Sequence, residues 1–113
     1  MELRSPDPTA NPYLALAAVL RAGLDGIKRQ LAVPESVDCN IFRMSAQERR
    51  ERKIEELPGT LAEAVSCMEE DAFMKETLGE YLFEKYIALK KEEWNRYRSQ
   101  VTDWEIREYL NQF

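Results

Sequence analysis

Residues 80–100 read Glu80-Tyr81-Leu82-Phe83-Glu84-Lys85-Tyr86-Ile87-Ala88-Leu89-Lys90-Lys91-Glu92-Glu93-Trp94-Asn95-Arg96-Tyr97-Arg98-Ser99-Gln100. Phe83, Tyr86, Ile87, Trp94, Tyr97 and Val101 recur at steps of three, four and seven, which is the period of one helix face. Lys90, Lys91, Glu92 and Glu93 fill much of the remaining surface. The spacing predicts one long amphipathic helix whose aromatic stripe serves core packing rather than a stacking platform or a partner groove.

Working outward, the same chemistry repeats. Thr102-Asp103-Trp104-Glu105 has the form of a capping box and predicts a last helix to about Tyr109 or Leu110. Thr60-Leu61-Ala62-Glu63 opens another, through about Glu69, after the turn Leu57-Pro58-Gly59. Asp71 caps a further short helix that stops near Gly79, and Ser45-Ala46-Gln47-Glu48 starts one over about 46–53. Residues 32–44, with Pro34, Asp38 and Asn40, read as a connection. Asn11-Pro12 reads as a helix start: Asn accepts from the first free amides, and Pro at the first helical position forfeits a donor with no partner there. The helix that follows is apolar on nearly every side from Tyr13 to Leu20, so it wants more than one packing neighbour. Gly23 and Gly26 read as punctuation at its end rather than as a ligand loop. Residues 1–10 read as an extended stub, because Pro6 and Pro8 deny donors and push the residues before them toward β or polyproline geometry. The fold class is therefore mainly α, a stub over 1–10 followed by a helical segment over 11–113.

Composition excludes more than it selects. A hydrophobic share of 44% and a charged share of 33% are globular values, and 113 residues suffice for one modest core. The formal charge of −5 argues against nucleic-acid binding. The basic run Arg49-Arg50-Glu51-Arg52-Lys53, answered by Glu55 and Glu56, reads as a solvated helix end. No apolar run reaches the ~18 residues that a membrane helix needs, and the segment before Tyr13 is not a basic leader, so a soluble cytoplasmic protein is expected. Cys39 and Cys67 are far apart and read as buried or idle thiols rather than a disulfide or zinc site. The histidine count of zero removes His-based triads, proton shuttles and most zinc sites. Chemistry here has to run on carboxylates, lysine, arginine or tyrosine.

Glu2 and Arg4 are the candidate pair. On an extended backbone alternate residues share a side, so the two would project together. A carboxylate suits a hard cation, and a guanidinium suits a carboxylate or phosphate. Local spacing alone leaves them as solvated terminal residues.

A wider pattern changes their weight. Glu2-Leu3-Arg4-Ser5-Pro6-Asp7-Pro8, Asn11-Pro12-Tyr13-Leu14 and Ala22-Gly23-Leu24-Asp25-Gly26-Ile27-Lys28 closely resemble type I glutamine synthetase. The similarity runs on through Asp38-Cys39-Asn40-Ile41, Leu57-Pro58-Gly59-Thr60-Leu61, Leu78-Gly79-Glu80 and the Trp94–Gln100 helix, over essentially the whole chain. The resemblance implies the helical C-terminal part of an ATP-dependent ligase that joins glutamate and ammonia through γ-glutamyl phosphate. It implies Mg²⁺ or Mn²⁺ and ATP as the parent's cofactors, none of them held by the fragment alone, and partners in the rest of the catalytic domain and the other subunits of a dodecamer. By the same resemblance Glu2 is a metal ligand and Arg4 contacts the glutamate substrate and the transferring phosphoryl group. Phe42 stands where some relatives carry the tyrosine that is adenylylated, so no such modification is expected. The tail Tyr109–Phe113 resembles an end that packs between rings. The fragment is expected to be inactive alone. Two other readings stand beside this one: a free-standing helical module that binds a full-length synthetase or a nitrogen regulator, and self-association through unburied apolar helices.

Overall fold

In a computed structural model residues 2–110 are described. They form six α-helices and one 3-10 turn, with no strand among the described residues: α1 (Pro12–Lys28), the 3-10 turn Ile41–Arg43, α2 (Ala46–Glu51), α3 (Leu61–Glu70), α4 (Ala72–Leu78), α5 (Glu80–Arg98) and α6 (Asp103–Tyr109). The chain divides into two compact units, Met1–Leu57 and Pro58–Phe113. The division falls at the Leu57-Pro58-Gly59 turn.

In the first unit, α1 begins as the sequence dictates. Asn11 Oδ1 accepts from the amides of Tyr13 at 3.0 Å and Leu14 at 3.3 Å, with Pro12 in the first helical position. Its end differs from expectation. Gly23 and Gly26 lie inside the helix, and a Cβ on either would meet nothing within 4 Å. The left-handed residue that closes α1 is Gln30, at φ 50°. The Leu31 amide then reaches back to Gly26 O at 3.0 Å, as in a Schellman ending. Lys53, at φ 54°, closes α2 in the same way, with Ile54 N bonding Arg49 O at 2.9 Å. Two glycine-like positions are thus held by long polar side chains.

No residue of α1 is buried. Leu14, Ala15, Ala18 and Val19 are partly covered, while Tyr13, Leu16, Leu20, Leu24 and Ile27 stay exposed along one stripe. The helix lacks the several neighbours that its composition calls for. Residues 2–5 have no regular secondary structure, and Asp7–Ala10 closes a turn through Ala10 N to Asp7 O at 2.9 Å.

The second unit holds the core. Phe83 and Ile87, one turn apart on α5, pack with Val65 of α3, and Leu61, Met68, Met74 and Leu78 close around them. The caps follow the sequence. Thr60 accepts from the amide of Glu63, and Asp71 accepts from Phe73 and Met74. Gly79 turns between α4 and α5 at φ 77°, ψ 151°, a region that is essentially glycine's own. The box at Thr60 is only half made, because Glu63 turns back to the Gly59 amide at 2.8 Å instead of to Thr60. Ser45/Glu48 and Thr102/Glu105 make the full reciprocal pair.

The stripe on α5 is buried for only half its length. Phe83 and Ile87 are core, Tyr86 and Trp94 are partly covered and Tyr97 is exposed, while Val101, expected on the same stripe, lies beyond the end of α5 at Arg98 and is exposed too. The reason is geometric: α3 and α4 are short, and they reach only part of a nineteen-residue helix.

Candidate functional site

The candidate pair does come together. Arg4 Nε donates to Glu2 Oε1 at 2.6 Å, with both side chains on one side of a non-helical strip. The pair is open to solvent, the Arg4 side chain 85% exposed and that of Glu2 71%. An exposed ion pair of this kind adds about 0–1 kcal/mol, so stability does not explain it.

The strip leads straight into a turn that sequence reading passed over. Asp7 Oδ1 accepts from the Thr9 amide at 2.7 Å and from the Thr9 hydroxyl, and its own carbonyl accepts from Ala10. The Thr9 hydroxyl and then the Thr9 amide hold the Asp7 carboxyl below the usual aspartate range. Immediately after comes Asn11, the cap of α1. Asp followed two residues later by Thr is the signal that predicts such an Asx turn.

Tested on the side chains present, a divalent-metal site is incomplete. Glu2 offers a hard oxygen donor, but no group of three or more His, Cys, Asp or Glu among the described residues is placed to hold an ion. Six or more oxygen ligands are the norm for such ions, several of them often water on magnesium. Glu2 by itself supplies a single carboxylate, short of such a set.

Phe42, in the 3-10 turn, is fully exposed, and the cap Asn40 accepts from its amide at 3.1 Å. A benzyl ring has no oxygen to carry a nucleotidyl group, so that position cannot be modified as a tyrosine can. The basic run is more structured than a solvated end. Arg49 is half-buried and pairs with Glu56 at 2.6 Å, and Arg52 Nη1 lies 3.5 Å from Cys39 Sγ. Cys39 and Cys67 are both free and exposed rather than buried. On the second unit, shallow grooves between α3 and α5 are lined by Leu61, Val65, Trp94 and Tyr97, the last two with ring centroids 5.6 Å apart. They carry no convergent set of titratable groups.

This is a helical segment that presents an exposed carboxylate and guanidinium, Glu2 and Arg4, ahead of its first helix. Its sequence matches the profile of the glutamine synthetase catalytic domain over residues 1–109, and the chain belongs to that family. It is 50% identical to a glutamine synthetase of Clostridium saccharobutylicum over 113 residues, covering all of this chain and 26% of the relative. It is 47% identical to that of Methanocaldococcus jannaschii over 110 residues, covering 97% of this chain and 24% of the relative. A solved structure titled "Apo GmaS without ligand" superposes with a TM-score of 0.79 at 38% identity, over 96% of this chain and 25% of that one. The chain therefore spans about a quarter of the length of the relatives it matches, and the matched part is their C-terminal one. No helix among the described residues is long and apolar enough to cross a membrane.

Proposed function

We propose that this chain does the work of the C-terminal quarter of a glutamine synthetase, the ligase that joins glutamate and ammonia at the expense of ATP. In that reaction the glutamate γ-carboxylate takes the terminal phosphoryl group of ATP and releases ADP. Ammonia then displaces phosphate from γ-glutamyl phosphate. Glu2 contributes one oxygen to a Mg²⁺ or Mn²⁺ site, and Arg4 holds the glutamate carboxylate and the equatorial oxygens of the moving phosphoryl group. A divalent ion, when bound, neutralises phosphate charge, and a guanidinium fork matches the same oxygens bidentately.

The observation that carries this reading is the coupling of near-complete family coverage with a paired Glu2 and Arg4 that stability does not require. The segment boundary at residues 10 and 11 then marks where a site-bearing strip of the catalytic domain gives way to helices that pack behind it. The bare stripe on α1 is a surface for the remainder of a subunit. The chain spans about a quarter of the relatives' length, and its isolated form is expected to make no glutamine. The test is direct: purified chain, glutamate, ATP, ammonia and Mg²⁺, with glutamine measured by mass. Product above a protein-free blank overturns the claim of inactivity.

A further inference from the structure

We propose that Asp7 is a positioning residue for Arg4: its turn fixes the direction in which the Glu2–Arg4 strip leaves α1. The inference rests on the functional reading above and extends it to a residue that touches neither substrate nor metal.

Few residues between Arg4 and α1 have unrestricted backbone torsions. Pro6, Pro8 and Pro12 have φ locked by their rings. Ser5, Asp7 and Asn11 each precede a proline, which disfavours the α region and pushes them to extended geometry. Asn11 shows it, at φ −62°, ψ 115°. Only Thr9 and Ala10 are left unrestricted from Ser5 to Pro12, and both donate to Asp7. The Thr9 amide and hydroxyl go to its carboxylate, and the Ala10 amide goes to its carbonyl. Asn11 then fixes the first turn of α1 through Tyr13 and Leu14. Every residue of the connection is constrained, by a ring, by a following ring or by Asp7. The segment is a strut, and Asp7 closes its one gap.

A strut of this kind matters for catalysis, because an arginine that must meet both a carboxylate and a phosphoryl group tolerates little error. A misplacement of about 1 Å costs on the order of 100-fold in rate. Removing the Asp7 side chain frees the Thr9 amide and hydroxyl, keeps the Ala10 bond to the Asp7 carbonyl, and leaves Arg4, Glu2 and α1 intact in sequence. Asparagine keeps the acceptor oxygen and can make the same turn.

The test has two arms. On the chain itself, backbone amide relaxation by NMR is expected to show Asp7, Thr9 and Ala10 as ordered as α1. Asp7→Ala is expected to loosen Thr9, whose amide and hydroxyl the carboxylate holds, while leaving the helix signals of residues 13–28 in place. A Thr9 amide that is as mobile in the unmodified chain as in Asp7→Ala overturns the strut. In the second arm the chain replaces the C-terminal quarter of the Clostridium saccharobutylicum enzyme. There Asp7→Ala is expected to lower kcat/KM for glutamate about 100-fold, with KM for ATP nearly unchanged, and Asp7→Asn to restore most of it. Full activity of the Asp7→Ala graft overturns the positioning role alone. A graft that is inactive with the unmodified segment overturns the functional reading, and the inference with it.

Discussion

Lys91 Nζ lies 2.6 Å from Glu69 Oε1, 22 residues away in sequence, and ties the last turn of α3 to the middle of α5. Both groups are substantially exposed, so the bridge itself adds at most about 1 kcal/mol. What it marks is the register in which Val65 meets Phe83 and Ile87. Burial of those three side chains, not the bridge, holds the second unit together.

Phe83→Ala is therefore expected to cost about 3–5 kcal/mol, enough to remove cooperative unfolding from a unit with so small a core. Circular dichroism melts of the whole chain measure it. Tyr97→Ala, further along the same stripe and exposed, with a ring contact to Trp94, should cost no more than about 1.5 kcal/mol. Equal effects at 83 and 97 would contradict the half-buried stripe.

The glycines give a second contrast. Gly23→Ala and Gly26→Ala place a methyl in open space inside α1 and are expected to stabilise the isolated chain by about 0.5–1 kcal/mol each. Gly79→Ala forces alanine to φ 77°, ψ 151° and is expected to destabilise it by about 1–3 kcal/mol. Gln30→Gly removes a left-handed penalty of about 1–2 kcal/mol and should raise the melting temperature. Denaturant midpoints on the four variants check the signs.

Acid should fray two helices by a single mechanism. The Glu48 carboxyl is lowered first by the Ser45 amide and then by the Ser45 hydroxyl, and Glu105 likewise by Thr102. A carboxylate lowered in the folded state contributes stability that is complete above its unfolded pKa, about 4.3 for glutamate, and is lost as pH falls through the folded value. Carboxyl NMR titration should place both midpoints below the ordinary glutamate value. The amides of Ser45 and Thr102 should lose protection over the same range. Midpoints at or above the ordinary value would contradict the capping geometry.

Much of the helical architecture could be read from sequence, because every α-helix but α5, which starts at Gly79 with no side-chain cap, begins on a cap whose donor and acceptor lie within three residues. Asn11, Ser45, Thr60, Asp71 and Thr102 all cap where spacing places them. Burial was harder, because it depends on which neighbours reach a helix. The apolar run Tyr13–Leu20 and the pair Tyr97 and Val101 look alike in sequence to Phe83 and Ile87, yet only the latter are buried, around Val65. The ending of α1 misled for a related reason: glycine is permitted at a left-handed position but not required there, and Gln30 takes it. At the candidate site, proximity of Glu2 and Arg4 followed from alternation alone. The Asp7 turn did not, because its signal is three ordinary residues whose meaning emerges only from the prolines beside them.

The most direct measurement is glutamine formation by the Clostridium saccharobutylicum synthetase carrying this chain in place of its own C-terminal quarter. The account predicts an active enzyme in which Arg4→Ala and Glu2→Ala each lower kcat by about 100-fold or more, while Phe42→Leu leaves it unchanged. An active graft that loses nothing when both Glu2 and Arg4 are replaced by alanine would contradict it.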